Sequence, residues 1–282
     1  MKLKKRNLLG ICLVIGALFT GCGSKKSTII ELKGSDTILN VSQGIAEKYM
    51  SKNPDTKIAV TGGGSGVGIS SLLNKTTDIA MASRSMKGKE YEKAKEGNIK
   101  VEEIVLGYDG ITIIVNNNNK VKDISSKKLG EIFRGEITNW KEIGGTDSPI
   151  VVLSRDSSSG THEFFKEHII RENKKNNKEY GSKTLYAPSN QAIKQEVKSN
   201  INAIGYIGMG YMDETVHSLA VDGITPSVKN VSNKSYPIAR EVYWYVPKNS
   251  DKEETIEKLV DFATSNDGQQ IVKNEGFIPR GL

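Results

Sequence analysis

The stretch Ile29-Ile30-Glu31-Leu32-Lys33-Gly34-Ser35-Asp36-Thr37-Ile38-Leu39-Asn40-Val41 sets the architecture, because its hydrophobic period changes in mid-run. Ile29 to Leu32 reads as a strand, Gly34-Ser35-Asp36-Thr37 as a turn, and Ile38 to Met50 as an amphipathic helix with apolar residues at 38, 41, 45, 46 and 49. The helix stops ahead of Asn53-Pro54, where proline biases the residue before it away from helix. The same order then repeats. Lys57 to Thr61 is a second strand, Gly62 to Gly68 a glycine-rich turn entering a helix through Leu73, and Asp78 to Ala82 a third strand. Strand, Gly/Ser turn and helix in succession predict an α/β sheet with crossover helices, whose ligands sit outside the carboxyl ends of the strands.

Farther along, the texture changes. Gly110 to Asn116 is a strongly apolar strand, followed by Asn116 to Asn119 and by short helices and loops around Trp140 and Gly144-Gly145. A matching strand, Glu241 to Val246, precedes Pro247 and a terminal helix from Lys252 to Thr264. The two strands read as crossovers between two lobes. Lobe 1 is then discontinuous, 28–115 plus 240–282, lobe 2 is 116–239, and a cleft forms where they meet.

Lys2, Lys4, Lys5 and Arg6 precede an apolar stretch from Leu8 to Phe19. That stretch is shorter than the roughly 20 residues a spanning helix needs. It predicts a signal peptide over residues 1–21. Gly21 followed by Cys22 resembles the lipobox of bacterial lipoproteins, in which Cys22 would become the acylated first residue. Residues 22–27 then form a flexible tether, and the expected location is the extracytoplasmic face of the cell membrane. The formal charge of +7 is largely the leader's, since removing its four basic residues leaves 36 Lys and Arg against 33 Asp and Glu, or +3. The lysine-rich segment Arg171 to Lys178 is interleaved with Glu and Asn and lacks aromatic spacing, so no nucleic-acid partner is expected. Cys12 in the leader and Cys22 at the lipid site leave no cysteine for a disulfide or a thiolate-ligated zinc. His162, His168 and His217 show no metal spacing, so neither metal nor other cofactor is expected.

The strand Ile150 to Leu153 ends in Ser154-Arg155-Asp156 and empties into Ser157-Ser158-Ser159-Gly160-Thr161, just where helix-compatible sequence begins at His162. A helix start leaves its first four N–H groups without intrahelical partners and carries about half a positive charge. Serine and threonine hydroxyls add donors, and Arg155 adds a planar, permanently charged fork. An N-cap in a serine-rich turn beside a surface arginine would use the same residues. One such turn is ordinary. Three of them, at Gly34-Ser35-Asp36-Thr37, Gly62 to Gly66 and Ser157 to Thr161, point to a common tetrahedral oxyanion. Arg84, in Met81-Ala82-Ser83-Arg84, stands at the same sheet edge, although an ion pair within its own lobe would also account for it.

Rival chemistries fail on spacing. The Gly62 to Gly68 turn has Ile69-Ser70 where a P-loop needs Lys and Ser/Thr. No frame of it gives GxGxxG, and Gly63-Gly64-Ser65-Gly66-Val67 misses the GxSxG elbow at its last position. A serine hydrolase with Ser159 as nucleophile and His162 as base would need a side chain three residues on, inside the helix, to turn back.

Taken together, these strings resemble the phosphate-binding lipoproteins of bacterial phosphate ABC importers, of the PstS type. The resemblance spans nearly the whole mature chain. It rests on Gly34 to Thr37, Gly63 to Gly66, Asp78 to Ser83, Ile132 to Trp140, Arg155 with Ser159-Gly160-Thr161, Ile204-Gly205-Tyr206, and Gly268-Gln269-Gln270 with Gly276 to Pro279. It implies a two-lobed α/β periplasmic-binding-protein fold of type 2, each lobe a mixed sheet flanked by helices, and a monomer that is not an enzyme. It also implies inorganic phosphate as ligand and a membrane permease complex as partner. Thr37 and Ser65 would bind from lobe 1, and Arg155, Ser159, Gly160 and Thr161 from lobe 2. One position departs from the pattern: well-known members of the family carry an Asp after Ala-Ser to accept the proton of hydrogen phosphate, and here the residue is Arg84. Asp36 is the candidate replacement acceptor, with a plain N-cap as its other reading. Sulfate, molybdate or another oxyanion therefore stands as the alternative ligand.

Overall fold

In the computed structural model residues 28–248 and 250–281 are described; the expected leader, the tether and Cys22 lie outside the described residues. The first units form as their periodicity dictates: β1 (Thr28–Gly34) leads through a 3₁₀ turn into α1 (Leu39–Lys52), β2 (Thr56–Thr61) into α2 (Ser65–Leu73), and β3 (Ile79–Ala82) into α3 (Gly88–Glu96). Val41, Ile45, Ala46 and Tyr49 are the buried stripe of α1, with Ile38 buried just ahead of it. β1 is parallel to both β2 and β3, so the carboxyl ends of all three finish on one edge.

β4 (Val101–Val115) is longer than the apolar run that begins at Gly110. Glu102, Glu103 and Tyr108 interrupt its first half, where one face is only partly covered. The chain continues through β5 (Asp123–Ile124), α4 (Ser126–Phe133), β6 (Val151–Arg155), and α5 (Gly160–Phe165) with a π turn over Lys166–Ile170. Next come β7 (Leu185–Ala187), α6 (Asn190–Ser199), β8 (Ala203–Gly208), β9 (His217–Ser218), β10 (Ala220–Val221), and α7 (Val228–Ser232). It ends in β11 (Ala239–Pro247), α8 (Glu253–Thr264), α9 (Asn266–Asn274) and β12 (Ile278–Pro279). Where the sequence suggests one terminal helix, Ser265 divides two: it ends α8 and its Oγ accepts from Gly268 N of α9.

The main sheet runs β2-β1-β3-β11-β4-β8-β6-β7. Its middle strand serves both halves: Val101 to Gly110 of β4 pair antiparallel with β11, and Ile111 to Val115 pair with β8. Two main cores follow. Ile30, Leu32, Leu106, Val242, Trp244 and Leu259 belong to one, and Ile111, Ile113, Phe133, Trp140, Phe165 and Tyr206 to the other. Each tryptophan buries its ring with the N–H satisfied, Trp244 on Ser42 Oγ and Trp140 on Asn202 O, both at 3.0 Å. No described helix is long and apolar enough to cross a membrane.

Gly34 closes β1 at φ +142°, and a Cβ there would lie 2.1 Å from Met81 O. The contact is tight because Ser35 N donates to that same carbonyl at 2.9 Å, pulling the turn onto β3. Gly34→Ala is expected to lower stability by about 2–3 kcal/mol, read as a fall in thermal midpoint. Gly88→Ala is the control: the new methyl meets nothing within 4 Å at the first residue of α3, and the midpoint should hold or rise slightly.

Candidate anion-binding site

Arg155 is the last residue of β6, and α5 starts shortly after it. Ser159 caps that helix, its Oγ accepting from Thr161 N at 3.2 Å and His162 N at 3.3 Å. On the opposite side Ser35 does the same for the 3₁₀ turn, accepting from Thr37 N at 3.2 Å. The two turns meet. Thr37 Oγ1 lies 2.8 Å from Thr161 Oγ1, and Ser65 Oγ lies 3.3 Å from Ser83 Oγ. Ser35 Oγ donates to Ser83 Oγ at 3.0 Å, and Ser83 N donates to Ser65 Oγ at 3.0 Å. All six of these hydroxyl residues are buried.

Gly160 makes this approach possible, since a Cβ there would fall 2.2 Å from Ser65 Oγ and 2.7 Å from Ser83 Oγ. Backbone bonds run alongside: Gly66 N donates to Ser158 O at 3.0 Å, and Ser158 Oγ to Gly63 O at 3.2 Å. Lys87 and Glu163 add an ion pair at 2.9 Å across the same gap.

Arg155 is 1% exposed. Its Nη2 donates to Asp36 Oδ2 and to Pro188 O, each at 2.8 Å, whereas Nε and Nη1 are buried without a hydrogen-bond partner among the described residues. Buried donors are nearly always satisfied, and those of a cation most of all. Half of this guanidinium fork is therefore available to an anion. Asp36 has both oxygens engaged, Oδ1 by Gly63 N at 3.1 Å and Oδ2 by Arg155. Behind the arginine Tyr206 OH meets Ser154 Oγ at 2.7 Å and Tyr180 OH at 2.9 Å, and accepts from Arg155 N at 3.4 Å. Burial pushes both phenols up, so they remain neutral hydroxyls.

The structure thus brings together Asp36, Thr37, Ser65, Arg155, Ser159, Gly160 and Thr161. Arg84 is the exception. Its two terminal nitrogens donate to the two oxygens of Glu90, both at 2.8 Å, and Nη1 also reaches Ser85 O, so its fork is already filled within its own side of the cleft. Sequence reading missed Asp109 and Arg240, a buried ion pair at 2.8 Å beside the threonines, and Asn190, whose buried Nδ2 lacks a hydrogen-bond partner among the described residues. A faint signal was present for the pair: Asp109 interrupts an otherwise apolar strand next to Gly110, and Arg240 directly precedes the Glu241 to Val246 run.

A family model described as a PBP superfamily domain matches residues 23–267. The phosphate-binding protein PstS of Bacillus subtilis is 32% identical over 90% of this chain and 82% of its own, and PstS of Borreliella burgdorferi 29% identical over 98% and 99%. Among solved structures, a Clostridium perfringens protein with bound phosphate, described as a phosphate ABC transporter substrate-binding protein, superposes with TM-score 0.81 at 34% identity. That match covers 89% of this chain and 99% of the other. An ABC-type phosphate transport receptor from Vibrio cholerae gives TM-score 0.72 at 29% identity, covering 88% and 99%. The chain belongs to the PBP superfamily, in the family of PstS phosphate-binding proteins.

In this PstS family member a neutral imidazole stands behind the arginine. His162 Nδ1 lies 2.9 Å from Arg155 O and 3.1 Å from Ser154 Oγ, and the ring stacks on Tyr180 with centroids 4.5 Å apart. A carbonyl only accepts, so Nδ1 carries the proton. Burial pushes the imidazole below its ordinary value of 6.5, and the Arg155 carbonyl opposes this without reversing it. The unfolded chain therefore binds this proton first as pH falls. The stability that neutral His162 contributes is complete above pH 6.5 and is lost as pH drops from there toward the folded-state value. Thermal midpoints should decline below pH 6.5, and His162→Gln should flatten that part of the profile; an equally steep decline in the variant would assign it to other groups.

Proposed function

We propose that this protein is a lipid-anchored extracytoplasmic receptor that captures inorganic phosphate between its lobes and delivers it to the permease of an ABC importer, without covalent chemistry. The observation that carries this reading is the half-paired, buried Arg155 fork beside hydroxyls drawn from both sides of a cleft. Phosphate offers oxygens in every direction and a charge that the fork and the helix start stabilise. Thr37 and Ser65 would hold it from lobe 1 (28–115 with 240–282), and Arg155, Ser159, Gly160 and Thr161 from lobe 2 (116–239). Asp36 would steady the arginine, and Arg84 would stay on Glu90. An anion touching both lobes binds the closed form better than the open one, so closure follows occupancy. The names of the relatives and the bound phosphate of the Clostridium perfringens protein agree with this ligand.

Isothermal titration of the mature chain is expected to show saturable phosphate binding. Arg155→Gln should weaken it by about 100-fold or more, since charge-assisted hydrogen bonds each contribute about 1.5–3 kcal/mol. A flat titration across micromolar to millimolar phosphate would sink the proposal. Sulfate or molybdate remains the second reading, because Arg84 stands where the family's proton acceptor is expected and Asp36 is already engaged by Arg155 and Gly63. Sulfate competition in the same titration, with Asp36→Asn as the variant, decides whether Asp36 discriminates between the two. The hydrolase reading loses support from the histidine, which faces Ser154 and Arg155 O while Ser159 Oγ caps the helix.

The anchor rests on the basic and apolar leader ending at Gly21-Cys22. Cys22→Ser should move the protein from the membrane fraction to the soluble one, and retention on membranes would refute lipidation at that residue.

A further inference from the structure

Asp109 and Arg240 have no part in the ligand set proposed above. They are register partners on β4 and β11, the two strands at the junction of the lobes, and their side chains are 0% and 2% exposed. Asp109 Oδ2 accepts from Arg240 Nε at 3.1 Å and Nη2 at 2.8 Å, while its Oδ1 accepts from Met209 N at 3.0 Å. A guanidinium placed only to balance Asp109 would need nothing more. Instead Nη1 donates to Ser83 O at 2.9 Å and Nη2 to Thr161 Oγ1 at 2.8 Å, with Thr37 Oγ1 3.5 Å away. Phe164 lies against the cation, 5.7 Å from ring centroid to Cζ.

The donor inventory gives this arrangement a direction. Arginine has no acceptor, so Thr161 Oγ1 receives the Arg240 proton, and the single proton of Thr161 must point elsewhere. It can go to Thr37 Oγ1, 2.8 Å away, or to an anion held between the turns. Whenever Thr37 receives it, the Thr37 proton is displaced outward in the same way. A threonine without such a neighbour is free to present a lone pair to the ligand, which an oxyanion would repel.

We propose that Arg240, held by Asp109 at the lobe junction, is a positioning residue that commits Thr161, and through it Thr37, to donate hydrogen bonds toward the bound phosphate. The proposal rests on the phosphate-receptor reading. Its role is one of orientation: Arg240 acts on the ligand through a hydroxyl that the ligand itself contacts.

Replacing both members of a buried ion pair by uncharged side chains of similar shape leaves no stranded charge, whereas replacing one of them does. Asp109→Asn with Arg240→Gln in one chain should therefore keep a thermal midpoint near wild type while the phosphate Kd by isothermal titration rises about 10-fold or more. A cycle separates orientation from general damage. Arg240→Lys, which keeps the charge facing Asp109 but loses the fork, should weaken phosphate binding in the wild-type background and have little further effect in Thr161→Ala, where no hydroxyl is left to orient. Wild-type affinity in the double variant, or an equal loss from Arg240→Lys in both backgrounds, would overturn the proposal. If the double variant does not fold, the lysine cycle still decides. A wild-type protein that binds no phosphate would instead refute the receptor reading itself.

Discussion

The hydrogen-bond ladder along β4 is the constraint on which the rest depends. One strand gives its first ten residues to β11 and its last five to β8, so two halves of one sheet, each with its own core, are tied to a common rod. The change of partner falls at Gly110 and Ile111, and the chain returns at Ile238 and Ala239 directly opposite, with Ile111 N donating to Ile238 O at 2.8 Å. Strand ends from both halves of the sheet therefore converge at one place. It is also where Asp109 and Arg240 are buried, with Met209 N donating to the acid and Ser83 O accepting from the guanidinium.

Most of the groups converging there are neutral. Hydroxyls and helix starts provide donors without bringing counter-charges that an anion would have to displace, and a dry setting strengthens each of them. Three arginines are buried, and Arg84 is filled by Glu90; of the other two, one is fully engaged and the other is not. Arg240 is matched by Asp109 and directed at a threonine, whereas Arg155 has two donor atoms without a partner among the described residues after Asp36 has taken its share. A buried donor left unsatisfied costs about 1–3 kcal/mol, and more on a charged group, so an anion seated on Nε and Nη1 would offset that cost. Glycine at 160 and at 64 lets the two sides approach, because a Cβ at either would collide with a serine opposite.

Much of this was legible in the chain, and the exceptions share a cause. The stripe Val41, Ile45, Ala46 and Tyr49 and the glycine-rich turns were readable because period and turn chemistry are local properties. The first half of β4 was not, since Glu102, Glu103 and Tyr108 mask a strand whose inward face is covered by residues far along the chain. α9 escaped for a similar reason: Asn266-Asp267-Gly268-Gln269-Gln270 has little helical character, yet Ser265 caps it and Val272 anchors it in the core. Arg84 and Arg240 exchange roles on the same grounds. Arg84 belonged to a quoted motif and turns to Glu90 in the next helix, while Arg240 belonged to none and reaches the threonines from a distant strand.

The amino-acid sequence by itself determined the succession of strand, Gly/Ser turn and helix, the cysteine-free body, and the set of hydroxyls and Arg155 available for an oxyanion. These follow from side-chain period, φ preference and donor type, which act over a few residues. Tertiary structure alone decided which arginine has donors without a partner among the described residues, which acid it leans on, and that Thr37 and Thr161 share one arginine. Those outcomes depend on contacts between residues more than a hundred positions apart, such as Asp36 with Arg155 and Asp109 with Arg240, and a long-range charge pair is set by the packing of strands that bring its members into register.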